Sequence, residues 1–436
     1  SNGNEGGWNT QTDPLFAQYD RLQKRHMVHP WADFNDLDTH HYPTYLTGVA
    51  RFTNGYKVFM PTEFMHAMYD QGGGAGLRDF WDRWCTNPLF AGGFIWVYCD
   101  EAPKRSDKGG ILDSDKSNAP DGVVGPRREK EGSYYAIRAQ WSPIQLKPLL
   151  ITNHFDGSFL LTNEYTFTNL KDCRMTYKVL SCGTPLQGNA EAGKVIVEGK
   201  VQLPSINPGE TGTARFELPD SFRKGDVLEL EAFDREGKSI CNWTYPIHLA
   251  KQYFERNLAQ TTLTPAPQKA EARQTSDAIE LKSSKVSITF DAATGMIRHI
   301  KSGETEVPFK DGPVAIGMKM RYEPSLSYTR HSSDGAIYCA KYKGAADSIV
   351  WRLTNEGLLY MDAILLNRGS GGGGFDDAFM DAQVFNLGLS FSYPEQNCSG
   401  MKWMGRGPYR VWKNRIPGTN YGIWHKDYNN TITGES

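Results

Sequence analysis

No stretch of this 436-residue chain supplies the roughly 20 consecutive apolar residues that a membrane-crossing helix needs, and no basic-then-apolar segment opens it. Net charge is equally scarce. The 48 Lys and Arg against 50 Asp and Glu leave a formal charge of -2, too little long-range field to gather phosphates or anionic lipid. Nucleic acid and membrane are therefore set aside as partners. Cysteine is sparse as well: Cys85, Cys99, Cys173, Cys182, Cys241, Cys339 and Cys398 stand singly, with no Cys-x-x-Cys pair, which argues against a zinc site and a disulfide framework. The expectation is a soluble protein, periplasmic or cytoplasmic, with the compartment left open. Apolar residues at 39%, with aromatics at 12%, are enough for several buried cores in two to four domains.

Residues 1–145 read as mixed α and β. "DPLFAQYDRLQKR" has Asp13 as N-cap, Pro14 at the first helical position, apolar Leu15, Tyr19 and Leu22, and a basic end, which together predict a helix. "HMVHPW", "THHYPTY", "YKVFMPTEF" and "GGFIWVYCD" are short apolar runs suited to buried strands, and "AGLRDFWDRWC" predicts a second helix after the glycines at 72–74. Strands alternating with helices, with polar residues at the strand ends, suggest part of a parallel barrel.

From about residue 146 the texture changes to apolar-polar alternation broken by turns, in "SFLLTNEYTFTNL", "RMTYKVLS", "KVIVEGKVQL", "GTARFELP" and "VLELEAFDREG". That pattern predicts an antiparallel β-sandwich over 146–250, about 100 residues. Residues 251–277 read as a linker, since "LAQTTLTPAPQKAEARQTSD" is polar, contains proline and lacks periodicity. A second all-β region follows over 278–436. "GSGGGG" at 369–374 lacks the lysine and following helix of a phosphate loop and reads as a flexible connection.

Two glutamates stand at the ends of predicted strands, Glu5 in "GNEGGW" and Glu63 in "PTEFMHAM". Paired carboxylates are what glycoside cleavage requires: one protonates the leaving oxygen while the other meets the positive charge developing at the anomeric carbon.

"GNEGGW", "HHYP", "PTEFMHAM", "FWDRWCTNPLFAGGFIW" and "GRGP", in that order, make the chain similar to the β-galactosidases of glycoside hydrolase family 2 over essentially its whole length. The resemblance implies a multidomain α/β plus all-β architecture: the C-terminal half of a (β/α)8 TIM barrel, an immunoglobulin-like β-sandwich, and a truncated β-supersandwich. It implies Glu5 as general acid/base, Asn4 reaching the sugar 2-hydroxyl, and Glu63 as nucleophile of a retaining double displacement on a carbohydrate substrate. It also implies that Tyr42 hydrogen-bonds the nucleophile, that His66 faces the sugar ring and that Trp96 stacks on it.

The chain departs from the family pattern in three places. Val97 follows Trp96 where an aspartate is usual, Asn118 and Asp121 alter the sodium-site region, and "GRGPYRVWKNR" replaces the usual acidic positions after Gly-Arg-Gly-Pro. No metal ligand is assigned within the chain, and Mg or Na is left to a full-length parent. If "GNE" ends barrel strand four, the chain is a piece of that parent, inactive alone and prone to self-association, as a homo-oligomer or otherwise, through unpaired strand edges. The stretch from Glu5 to Glu63 is short for three strand-helix units, so the helices after strands five and six are expected to be short or missing. Two alternatives stand beside this: a carbohydrate-binding or scaffolding module with a non-catalytic barrel remnant, and a β-mannosidase or β-glucuronidase of the same family. The last is disfavoured by the lack of an Asn-x-Lys motif near strand eight.

Overall fold

The computed structural model describes residues 13–22, 28–29, 33–34, 36–45, 56–65, 74, 76–112, 121–183, 193–260, 268–316, 322–343, 346–365, 388–409, 411 and 416–428. These residues are mostly β-sheet with few helices. The chain divides into two compact units, Ser1–Glu255 with Gly400–Ser436, and Arg256–Ser399.

The first unit opens with helix α1 (Asp13–Tyr19). It starts at the predicted Asp-Pro but stops short of the basic residues, because the Asp20 carboxylate accepts the Leu22 N–H at 3.3 Å and closes a local turn that competes with the helix. Strand β1 (Asp33–Phe34) is antiparallel to β2 (Leu37–His41), and β2 is parallel to β3 (Val58–Glu63). Of the strand expected over 26–31, residues 28 and 29 are irregular and the others lie outside the described residues. Helix α2 (Leu77–Trp84) forms where the sequence predicts it.

The run "GGFIWVYCD" is not the buried strand expected of it. Residues 89–95 do follow β3 in parallel, with Phe59 N–H donating to Leu89 O at 3.0 Å and Phe64 N–H to Phe94 O at 2.9 Å. Gly92, at φ 98°, interrupts the extended backbone, and Phe94 and Tyr98 are 61% and 66% exposed. Residues 97–100 then pair with 121–124, as Val123 N–H reaches Val97 O at 2.8 Å and Asp100 N–H reaches Val124 O at 2.9 Å.

Helix α3 (Gly132–Gln140) has no strong sequence signal, since "GSYYAIRAQ" mixes glycine and aromatics. Tertiary contacts hold it. Ser133 Oγ donates to Val123 O at 3.0 Å, and the buried Gln140 side chain donates to Gly74 O at 2.8 Å while accepting the Arg78 N–H at 2.6 Å. Arg78 also reaches Glu164 at 2.9 Å, which ties α2 to the sandwich that follows.

That sandwich contains β4 (Ile144–Leu146), β5 (Ser158–Asn163), β6 (Arg174–Ser181), β7 (Lys194–Val201), β8 (Thr211–Arg215), β9 (Val227–Phe233) and β10 (Ser239–Pro246). One antiparallel sheet has the order β4-β5-β8 and the other β10-β9-β6-β7. Alternation does the sorting: Leu228, Leu230 and Ala232 of β9 are buried with Leu161, Met175 and Phe216, and the intervening Glu229 and Glu231 turn outward. Residues 250–260 form helix α4 (Ala250–Gln260) rather than unpatterned linker. The buried Tyr253 holds its start by donating its hydroxyl to Asp226 O.

In the second unit, β11 (Glu271–Gln274), β12 (Ala278–Lys282), β13 (Val286–Asp291), β14 (Ile297–Ser302) and β15 (Thr305–Val307) form one antiparallel meander. Strand β11 also falls inside the expected linker. After β16 (Lys310–Ile316), a second meander joins β17 (Leu326–Ser332), β18 (Gly335–Lys341), β19 (Ala346–Thr354) and β20 (Leu359–Leu365), while β21 (Gly388–Ser392) pairs with β16. The two meanders share a core in which Phe290 lies 4.9 Å from Tyr338 and 5.3 Å from Trp351. Residues 369–374 lie outside the described residues.

The turn between β13 and β14 is held by Asp291, whose carboxylate accepts Thr294 N–H at 2.8 Å. It needs glycine at 295: φ is 73°, and a Cβ there would sit 2.0 Å from the Tyr342 hydroxyl. Gly295→Ala is expected to cost about 1–3 kcal/mol from strain and displacement of that hydroxyl, read as a lower urea midpoint. An unchanged midpoint would contradict it.

The chain end does not extend the second unit, as the sequence-based division at 278–436 expects. The hairpin of Gly400–Gly407 and Asn420–Asp427 belongs to the first unit, where Tyr421 N–H donates to Thr244 Oγ1 at 2.5 Å and Tyr409 stacks on Tyr135 at 5.2 Å.

Candidate functional site

The site is built on the C-terminal ends of β2 and β3. Phe59 and Phe64 are five residues apart, so strict strand alternation would turn them to opposite faces. Yet both are buried in one cluster with Leu77 and Trp84 of α2. A bulge reconciles the two: β2 pairs His40 with Pro61 and then His41 with Glu63, leaving Thr62 as the extra residue. Phe59, Pro61 and Phe64 thereby share the face toward α2, and Met60 and Glu63 share the opposite face with their partners Thr39 and His41. In regular register Glu63 would point at Trp84. One residue of slip decides whether this glutamate enters an apolar layer or a polar one.

On that polar face His41 Nε2 lies 3.4 Å from Glu63 Oε2, with side chains only 8% and 12% exposed. The backbone is pinned beside it, since Tyr42 N–H donates to Glu63 O at 2.8 Å, and the Tyr42 ring meets His41 edge-on at 4.7 Å. Tyr42 and Met65 take left-handed backbone conformations, φ 53° and 59°, just past the ends of the two strands. Bulky residues there cost free energy of order 1–3 kcal/mol each, and such strain gathers where a site needs unusual side-chain directions.

On the segment that follows β3 in parallel, Trp96 Nε1 donates to Asp121 Oδ2 at 3.2 Å. Burial pushes the Asp121 carboxyl above the usual range, opposed by this hydrogen bond from the indole. Asp121 lines a small, mostly apolar cavity with Met65, Ile95, Val123 and Ile137, which places the Trp96–Asp121 pair close behind the end of β3. Among the described residues no group of three or more His, Cys, Asp or Glu side chains is arranged to hold a metal ion, and no helix is long and apolar enough to cross a membrane.

Of the residues singled out in the sequence, Glu63 and Tyr42 come together at one strand end, and Trp96 stands on the neighbouring segment. Asn4, Glu5 and His66 lie outside the described residues. One residue, His41, and one pairing escaped the sequence reading of the site. His41 could have been found from its place directly before Tyr42 at the end of a predicted strand. The Asp121 carboxylate as the partner of the Trp96 indole could not, because the two are joined only by tertiary pairing.

Comparison with known proteins gives a consistent direction. The family model described as "Beta-galactosidase, domain 4" matches residues 159–241, within the first sandwich. The chain is similar to the β-galactosidase of Actinobacillus pleuropneumoniae, 25% identical over 231 residues, covering 48% of this chain and 22% of that protein. It is also similar to the β-galactosidase of Yersinia enterocolitica, 25% identical over 218 residues, covering 45% of this chain and 18% of the relative. With the β-galactosidase of Enterobacter cloacae the identity is 21%, over 96% of this chain and 42% of that protein. The chain thus spans less than half the length of these relatives.

Proposed function

Taking the chain as β-galactosidase-like, similar to a part of the glycoside hydrolase family 2 enzymes, we propose that it carries the nucleophile side of the active site of a retaining exo-glycoside hydrolase. The substrate class is a terminal, non-reducing β-D-galactoside or a closely related β-glycoside. On this reading residues 1–145 are the second half of a (β/α)8 barrel and 146–250 an immunoglobulin-like sandwich. The described residues between 278 and 399 then belong to a supersandwich, and a parent protein of the relatives' length supplies the rest of the cleft. The observation that supports it most is the Glu63 carboxylate, nearly buried at the C-terminal end of a parallel strand on the face away from its helix, with His41 at 3.4 Å. Barrel enzymes place catalytic groups at such strand ends.

The chemistry needs two steps. Glu63 attacks the anomeric carbon, the bond to the leaving oxygen breaks, and that oxygen takes a proton from Glu5, giving a glycosyl ester on Glu63. Glu5, now a carboxylate, takes a proton from water as the water oxygen attacks the same carbon, and the ester bond breaks to release the sugar and restore Glu63. Each inversion undoes the other, so configuration is retained. Trp96 offers an aromatic face to the apolar C–H face of the ring. The Val97 and Asp121 departures sit beside it and bear on which sugar fits.

The parent protein should hydrolyse an aryl β-galactoside or a related member of an aryl β-glycoside panel, with the β-anomer as the first product seen by proton NMR. A first-formed α-anomer, or no hydrolysis of any member, would overturn the proposal.

A further inference from the structure

We propose that His41 is a positioning residue for the Glu63 carboxylate. The inference rests on the hydrolase reading above and goes beyond it, because nothing in that reading assigns a role to this histidine.

Three observations converge on it. His41 is the direct cross-strand partner of Glu63, and that pairing exists only because of the bulge at Thr62. Both side chains are nearly buried, and Nε2 stands 3.4 Å from Oε2, a few tenths of an ångström beyond a well-made hydrogen bond. Contacts of this kind in ligand-free sites commonly tighten when substrate binds. The imidazole itself has little freedom, since the Tyr42 ring lies edge-on against it at 4.7 Å and Tyr42 N–H fixes the Glu63 backbone at 2.8 Å.

A carboxylate that must attack along one line needs its second oxygen held. His41 supplies that hold: Nε2–H donates to Oε2, the χ angles of Glu63 are fixed, and Oε1 is left as the attacking atom. A nucleophile misplaced by about 1 Å can lose about 100-fold in rate. The effect belongs to the step in which Glu63 bonds to carbon, and ground-state binding of the sugar does not depend on it.

The test compares His41→Leu, His41→Gln and His41→Asn with Glu63→Gln in the parent protein. His41→Leu should lower kcat on an aryl β-glycoside about 10–100-fold with KM within about threefold. It should equally slow covalent trapping of Glu63 by a 2-deoxy-2-fluoro aryl glycoside, followed by mass spectrometry. His41→Gln, whose amide nitrogen can reach the position of Nε2, should recover most of the loss. His41→Asn, whose amide lies where Nδ1 was, should not, and this pair of polar variants carries the test even if the leucine variant fails to fold. Wild-type kcat in His41→Leu, equal rates in the glutamine and asparagine variants, or a change in KM alone would overturn the inference while leaving the hydrolase reading intact. Full turnover by Glu63→Gln would overturn both.

Discussion

Glu63→Gln in the parent protein should lower kcat on an aryl β-glycoside by about 10⁴-fold or more while leaving thermal stability nearly unchanged. The exchange keeps size and shape and removes only the negative oxygen that, in the proposed mechanism, bonds to the anomeric carbon. The amide can still face His41, so the bulged pairing of β2 and β3 has no reason to shift. Loss of the nucleophile abolishes both half-reactions, because no glycosyl ester forms for water to cleave. The variant should still bind substrate, and KM-like binding by calorimetry or fluorescence separates lost chemistry from lost structure. Turnover close to wild type would remove Glu63 from the mechanism. A collapse of stability instead would mean that the carboxylate serves the fold.

The second large effect concerns the opposite face of the same strand. Trp84→Ala should destabilise the first unit by about 3–5 kcal/mol, seen as a lower denaturant midpoint for that unit's transition. Trp84 is 0% exposed, and its indole touches Phe59, Phe64, Phe80 and Phe90 with ring centroids 5.1–5.5 Å away. Deleting it leaves a cavity in the layer against which β3 is laid. Its buried Nε1–H has no hydrogen-bond partner among the described residues, so Trp84→Phe gives up no such bond and should cost much less than alanine. A midpoint shift in Trp84→Ala below about 1 kcal/mol would show that α2 is not what backs the strand. Because Glu63 and Phe64 are consecutive, the alanine variant should also lose activity before it unfolds globally.

Legibility followed the range of the interactions involved. Strand β6 and helix α2 were readable because alternation and helical spacing are written within a dozen residues, and both form where the pattern places them. Helix α3 was not, since its glycine and paired tyrosines give weak local preference and Gln140, Gly74 and Arg78 hold it from distant positions. The run at 92–100 misled for the converse reason: its apolar content promised a buried strand, but it makes only isolated bridges to its neighbours and leaves Phe94 and Tyr98 exposed. Helix α4 and strand β11 arise in a segment whose composition looks featureless, where Tyr253 and pairing to β12 decide the outcome.

The glutamates at 5 and 63 and the succession of the sandwich strands along the chain could be named from residue types and local spacing, while Tyr42 and Trp96 were pointed to by the resemblance to the β-galactosidases. Where Glu63 points could not. That depends on whether Thr62 is paired or bulged, a choice set by the contest between packing Phe64 on Trp84 and keeping regular register with β2. Long-range packing won. The same choice brought His41 to the carboxylate, and no local pattern encodes a contact between side chains on separate strands.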